Sequence, residues 1–179
     1  MYFQLECDES KMTAYLKREN HATNSLIDGT FIDPTEEDLP FLVTYDDPTG
    51  SPLFDYYSGK SIMSRKMVNA LKQAGADNLQ EFATEMRNKR TGEVNNDFVT
   101  VNLIGLVSCA NVSESETSEL GSSYYFHNLV IDPAKTGGLL LFRLAESQID
   151  VLVHERVADA LKAAKLNGVV LNPIKAAGG

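Results

Sequence analysis

The chain has 179 residues, 43% of them hydrophobic and 23% charged, and its 25 acidic and 16 basic side chains give a net charge of −9. This composition is typical of a globular protein and excludes a membrane span, because no stretch approaches the roughly 20 apolar residues that cross a bilayer. Two cysteines are too few for a disulfide framework and indicate reduced thiols. We expect one soluble, cytoplasmic domain covering residues 1–179.

The first third of the chain predicts few regular elements. Alternating apolar residues favour a strand at Met1–Glu6, and Ser10 is suited to cap a helix at Lys11–Arg18. From Asn20 to Pro52 the chain is interrupted by turn-forming Gly, Pro and Asp residues. Only short apolar runs lie between these turns.

A strand–helix unit follows in residues 61–86. Residues 61–64 predict a short strand that leads into a helix, and residues 79–86 continue as a further strand. Four apolar residues of the helix fall at i, i+3, i+4 and i+7, on one face: Met67, Ala70, Leu71 and Ala74.

The clearest strand is Asp97–Cys109. It is almost continuously apolar, which is typical of a strand with both faces covered, and Gly105 within it suggests a bulge. Asn111–Ser123 is rich in Ser and Glu and predicts a surface loop. Tyr124–Ile131 follows as another strand.

Residues 139–174 repeat the strand–helix unit ninety positions later. They predict a strand at Leu139–Leu144, an extended run at Ile149–Val153, a helix at about Glu155–Lys165 and an extended end at Val169–Leu171. The apolar helix residues have the same spacing as before: Val157, Ala160, Leu161 and Ala164. Asn167 and Gly168 tolerate positive φ and are expected to stop the helix. We predict an α+β fold, a mixed sheet of six to nine short strands with two similar strand–helix units.

Acidic residues are concentrated in two regions. Thr91–Ala134 contains no Lys or Arg, and Asp33–Asp47 is dense in acids. Such segregation favours a basic protein partner over nucleic acid, which needs basic side chains on its phosphates. The alternative is that the acids only keep the protein soluble. The candidate partner-binding residues are Asp46, Asp47, Glu114, Glu116 and Glu119.

The histidines and cysteines form no recognisable catalytic or metal-binding pattern. His21, His127 and His154 share no ligand spacing with each other or with the cysteines. Cys109 and His127 can meet in space as a nucleophile pair, but burial of Cys109 in a strand raises its thiol pKa. His154 precedes a helix, where a capping role is expected. We predict a protein that is not an enzyme, with no metal and no cofactor.

Three blocks of the sequence resemble the bacterial immunity proteins of polymorphic-toxin systems, specifically the family numbered eleven. They are DFVTVNLIGLVSCANVSESE (97–116), FHNLVIDPAKTGGLLLFRLAES (126–147) and DVLVHERVADALKAAKLNGVVLNP (150–173), and with the earlier helical unit the resemblance covers residues 53–174. It implies a non-enzymatic antitoxin that binds and neutralises a cognate toxin. The acidic charge favours a basic toxin, and we expect no nucleic-acid or membrane partner. A small cytoplasmic enzyme with a Cys/His site and a regulatory protein-binding module are the alternatives. Oligomeric state is left open.

Overall fold

The computed structural model describes residues 1–121 and 123–177, and its architecture is α+β, as predicted. Within those residues the α-helices are α1 (Arg65–Gln73) and α2 (Glu155–Ala163), with short 3-10 turns at Glu9–Lys11, Pro34–Glu36, Ser58–Lys60 and Pro133–Thr136. The strands are β1 (Tyr2–Cys7), β2 (Tyr15–Arg18), β3 (Phe41–Asp46), β4 (Tyr56–Tyr57), β5 (Ile62–Ser64), β6 (Leu79–Asn88), β7 (Val94–Asn95), β8 (Phe98–Leu103), β9 (Leu106–Val107), β10 (Glu116–Leu120), β11 (Ser123–Asn128), β12 (Val130–Ile131), β13 (Leu141–Leu144), β14 (Ser147–His154), β15 (Val169–Pro173) and β16 (Lys175–Ala176). The expected strand count was therefore too low.

Two larger sheets and two small ones organise these strands. A seven-stranded sheet has the order β2-β3-β6-β8-β5-β4, with β7 paired to β6. A five-stranded sheet has the order β15-β1-β14-β13-β9. The pairs β10-β11 and β12-β16 complete the fold. The strand predicted at 97–109 is divided into β8 and β9 around Gly105, whose φ is +135°, and all six residues of β8 are buried, as expected for a strand covered on both faces.

The repeated strand–helix unit is a split β-α-β arrangement in both copies. β5 and β6 flank α1 in sequence, and β8 lies between them in the sheet, antiparallel to both. β14 and β15 flank α2, and β1 lies between them in the same way. The strand registers of the two units also agree. The residue before each helix pairs with the central strand: Ser64 with Phe98 in the first unit, and His154 with Tyr2 in the second. The similarity predicted from the helices thus extends to the whole unit.

The two units pack on each other through their helices and share one apolar core. The predicted core positions Leu71 and Leu161 are buried, at 0% and 2% exposure, and both belong to this shared core. The contacts between the units are reciprocal: Nζ of Lys66 donates to the carbonyl of Lys165 at 3.1 Å, and the guanidinium of Arg156 lies next to Gly75. Such an exchange of equivalent contacts is typical of two similar bodies packed face to face.

The end of α2 differs from the prediction. The helix ends at Ala163, and the residue that adopts positive φ after it is Lys165 (φ +50°), where α1 has Gly75 (φ +97°). Gly168 also has positive φ (+70°), and the ring of Phe54 packs closely against it. A Cβ atom on Gly168 would lie 2.2 Å from Cγ of Phe54, so the close approach requires glycine.

Two further predictions were wrong. The helix expected at Lys11–Arg18 does not form: Lys11 ends a 3-10 turn, and Tyr15–Arg18 is strand β2, which pairs antiparallel with β3. Exposure along β2 alternates with the period of a strand. The loop expected at Asn111–Ser123 contains β10, which forms a hairpin with β11. The backbone of β11 provides the hydrogen-bond partners of β10. The polar sequence of β10 alone does not predict this pairing.

Candidate partner-binding surface

The two predicted aspartates at the end of β3 have partners within the chain. Oδ1 of Asp46 accepts a hydrogen bond from Nε of Arg90 at 2.6 Å, and the Asp46 side chain is 43% exposed. Asp47 is only 9% exposed. Its Oδ1 accepts from the backbone N and the Oγ1 of Thr49, at 3.0 and 2.8 Å, and the hydrogen bond from the Thr49 side chain holds the Asp47 pKa below its usual value. Asp47 therefore organises a turn, and Asp46 offers a partly neutralised charge.

The three predicted glutamates remain exposed and lie together on or beside the β10–β11 hairpin. Glu114 precedes β10 and accepts from Nδ2 of Asn111 at 2.8 Å. Glu116 and Glu119 lie on β10 itself. In the described part of the chain none of these three carboxylates belongs to an ion pair. All three side chains are exposed, whereas Asp46 ends β3 in a different sheet and Asp47 follows that strand.

A second acidic surface was not predicted. It is a cleft of about 560 Å³ between β1, β11 and β14, which we call the acidic cleft. Three carboxylates line it: Glu6, Glu9 and Asp150. Asp150 is reached by Nε2 of Gln4 at 2.8 Å, a residue 146 positions away. Because the acids come from opposite ends of the chain, no local acidic pattern marks them in the sequence.

Two carboxylates of the acidic cleft, Glu6 and Asp150, are electrostatically unfavourable in the free protein. Burial raises the pKa of Asp150, against opposing hydrogen bonds from Ser147 and Gln4. Burial and then repulsion by Asp150 raise the pKa of Glu6. Among the residues described, neither carboxylate forms an ion pair. A cation brought by a partner would stabilise both charges.

Apolar side chains at the cleft add to its suitability for a protein partner. Tyr125 on β11 and Ile149 on β14 line it and are 52% and 61% exposed. Exposed aromatic residues are enriched in protein–protein interfaces. The acidic cleft therefore combines apolar contact area with charge of one predominant sign.

Substitution of Asp150 by Asn tests the electrostatic state of the cleft without any partner. A carboxyl whose folded-state pKa is raised holds its proton at a pH where the unfolded chain has lost it. The free energy of unfolding then falls as the pH rises from the ordinary value of 3.8 through the raised one. We expect Asp150→Asn to raise the melting temperature at neutral pH and to change it little in acid. Thermal unfolding from acid to neutral pH measures this difference.

Glu37 provides a control of opposite sign. Burial raises its pKa, but hydrogen bonds from the backbone of Thr23 and Asn24 outweigh burial and lower it overall. Its stabilising contribution is therefore present above the ordinary pKa and lost as the pH falls through the lowered one. Glu37→Gln should destabilise the protein at neutral pH and much less in acid. A uniform loss for both variants at every pH would contradict the assignment.

The cysteine and histidine side chains are not arranged as a catalytic group in the described residues. Cys109 is fully buried in an apolar cluster, and burial raises the pKa of its thiol to about 12. His127 is exposed on the hairpin, with Nε2 2.9 Å from Oγ of Ser118. His154 caps α2 as expected, because its Nδ1 accepts from the backbone N of Arg156 at 3.3 Å.

The described residues contain no group of three or more His, Cys, Asp or Glu side chains placed to hold a metal ion. Neither helix of that part of the chain is long and apolar enough to cross a membrane.

A family model described as Immunity protein family (Imm11) matches residues 2–176. The match includes strands β1, β2 and β3, which lie before the 53–174 span on which the sequence resemblance was based. The search of curated proteins found no match.

Proposed function

The chain belongs to the Imm11 immunity protein family, and on this basis we propose that it is a non-enzymatic antitoxin that binds and neutralises a cognate protein toxin. Family membership carries the proposal. We place its action in the cytoplasm, on a toxin of a polymorphic-toxin system that a competing or sister cell delivers. The toxin is a protein partner, in preference to nucleic acid or membrane, because the net charge of −9 repels other polyanions.

The acidic surfaces supply a physical means of toxin binding. Exposed carboxylates at Glu114, Glu116 and Glu119 favour encounter with a basic toxin face. The carboxylates of the acidic cleft then receive basic side chains of the toxin, with Tyr125 and Ile149 as apolar contacts. Asp46 remains a peripheral candidate, and Asp47 acts through the turn that it organises.

Charge reversal at each surface tests this division of roles. We expect Asp150→Lys with Glu6→Lys to speed dissociation of the toxin complex and to abolish protection in co-expression, because losing a desolvated acid costs about 2–5 kcal/mol. Reversal of Glu114, Glu116 and Glu119 should mainly slow association and flatten its salt dependence. Reversal of Asp46 with Asp47 should have a smaller effect on association. Association and dissociation rates at several salt concentrations measure these effects.

Asp159 on α2 is a matched control. Its side chain is 76% exposed, its nearest base is Lys162 at 3.8 Å, and it lies outside the acidic cleft. Asp159→Lys changes the net charge as much as one cleft substitution but should leave both rates nearly unchanged. If all reversals, including this control, act equally, net charge alone determines binding and the proposed surfaces are wrong.

The enzyme alternative is tested separately. Cys109→Ser and the substitution of each histidine by Gln should leave protection intact in variants that fold. A folded variant that still binds the toxin but no longer protects would support catalysis and contradict our proposal. The burial of Cys109 supports the non-enzymatic interpretation, since a nucleophilic thiolate requires a lowered pKa and access.

A further inference from the structure

Arg143 on β13 is a buried cation at the acidic cleft without a carboxylate partner. It lines the cleft and is only 4% exposed. Nη1 donates to the carbonyl of Gln148 at 3.0 Å, and Nη2 lies 3.4 Å from Oγ of Ser61. In the part of the chain that is described, it forms no ion pair. Burying a guanidinium without a counter-ion is costly, so an anion brought to the cleft would stabilise it.

One edge of this buried guanidinium is incompletely hydrogen-bonded. Nε of Arg143 has no hydrogen-bond partner among the described residues, and Nη2 has only the long contact to Ser61. Nε and Nη2 lie on the same edge of the planar group, with the spacing of the two oxygens of a carboxylate. Nη1, on the other edge, already holds the turn at Gln148.

Ser61 is a strained residue at the same place. Its φ of +52° is in the left-handed region, which favours glycine, and it is 6% exposed and lines the cleft. Backbone strain held in a non-glycine residue is concentrated at ligand-binding sites.

The acids of the cleft do not serve as counter-ions for Arg143. Asp150 takes hydrogen bonds from Gln4 and Ser147, and Glu6 takes one from Asn172 at 2.6 Å. Arg143 and the acids thus line one cleft without forming ion pairs with each other in the described residues. A ligand that satisfies both must itself carry both signs.

Arg18 is a second arginine with a nitrogen unpartnered among the described residues, but its surroundings differ from those of Arg143. Nη1 of Arg18 also lacks a partner, but its guanidinium lies 4.5 Å from the centre of the Phe41 ring and within the field of Glu37. Arg18 is absent from the lining of the acidic cleft.

We propose that Arg143 binds a carboxylate of the toxin through its Nε–Nη2 edge, while Glu6, Glu9 and Asp150 bind basic groups next to that carboxylate. This inference rests on the proposed function and makes it more specific. The recognised feature is a carboxylate flanked by basic residues, from an acidic side chain or from the C-terminal end of the toxin.

Arg143→Lys and Arg143→Met test the inference, with Arg18→Met as the matched control. Lysine keeps the charge but cannot make the bidentate contact. We expect both Arg143 variants to weaken toxin binding by at least about 30-fold, which corresponds to about 2 kcal/mol for a buried charge pair, and the control to change it little. Circular dichroism and thermal unfolding verify folding, and the Lys variant decides the matter if the Met variant does not fold. A folded Lys variant with wild-type affinity overturns the inference.

The source of the carboxylate is identified by variants of the toxin. Each surface Asp or Glu of the toxin is changed to its amide, and separately the toxin is extended by a short Gly-Ser tail that displaces its C-terminal carboxylate. In double-mutant cycles with Arg143→Lys, one of these changes should lose most of its effect. If every toxin change adds independently to Arg143→Lys, Arg143 does not contact a toxin carboxylate and the inference is wrong.

Failure of this inference is distinguishable from failure of the proposed function. If the wild-type protein binds the toxin and protects, and Arg143→Lys does the same, only the inference fails. If the wild-type protein neither binds nor protects, the proposed function fails, and Arg143 is tested with acetate alone. Sodium acetate should then raise the melting temperature above that in sodium chloride at equal ionic strength, and Arg143→Lys should remove the rise. No difference between the two salts overturns the anion site itself.

Discussion

Leu71→Ala and Leu161→Ala should each lower the free energy of unfolding by about 2–5 kcal/mol, the sum of lost apolar transfer and the cavity left behind. Both leucines are buried, at 0% and 2% exposure, in the core that the two strand–helix units share. Because they occupy equivalent positions on α1 and α2, the two losses should be similar in size. Denaturant unfolding of each variant gives the values.

Leu42→Ala is the control for this pair. Leu42 is 41% exposed on β3, so the same truncation removes little buried area and should change stability by less than about 1 kcal/mol. A loss at Leu71 several times larger than that at Leu161 would show that the units are alike in backbone but unequal in packing.

Gly168→Ala should also be strongly destabilising. The residue has φ +70°, which costs an L-amino acid about 1–2 kcal/mol. In addition, the new Cβ would lie 2.2 Å from Cγ of Phe54, so the ring must move, at about 1–3 kcal/mol for overpacking. Together these give an expected loss of about 2–5 kcal/mol, measurable by denaturant unfolding.

Gly50→Ala separates the two contributions. Gly50 has a similar φ of +66°, but a Cβ there meets no atom within 4 Å, so only the backbone cost of about 1–2 kcal/mol should appear. Phe54→Leu combined with Gly168→Ala should recover part of the steric loss. Equal losses at Gly50 and Gly168, with no recovery, would show that contact with Phe54 is unimportant.

The helices and the clearest strand could be predicted because their signals are local. The four apolar spacings of α1 and α2 are read within a dozen residues, and the strand at 97–109 is continuously apolar. By contrast, β1 and β8 occupy equivalent central positions but lie on opposite sides of their units in sequence. Periodicity carries no information about such long-range pairing, so the full extent of the repeat was invisible.

The partner-binding residues were predicted in part, for a related reason. Glu114, Glu116 and Glu119 are close in sequence and are exposed on one hairpin. Glu6 and Asp150 meet only through the pairing of β1 with β14. Asp47 was predicted to bind a partner, but its carboxylate accepts hydrogen bonds from Thr49 within the chain. The sequence shows the charge of Asp47 and does not show these hydrogen bonds.

The placement of β1 also determines the order in which the molecule can assemble on the ribosome. β5, α1, β6 and β8 follow one another along the chain, so the first unit can close as it emerges. β1 is made long before its partners β14 and β15, which lie more than 140 residues further along the chain. We therefore expect the apolar residues of β1 to remain unpaired until β14 and β15 have been synthesised. Closure of the five-stranded sheet is then a late step that must close a large loop. The acidic cleft, which β1 lines, forms only at that final step.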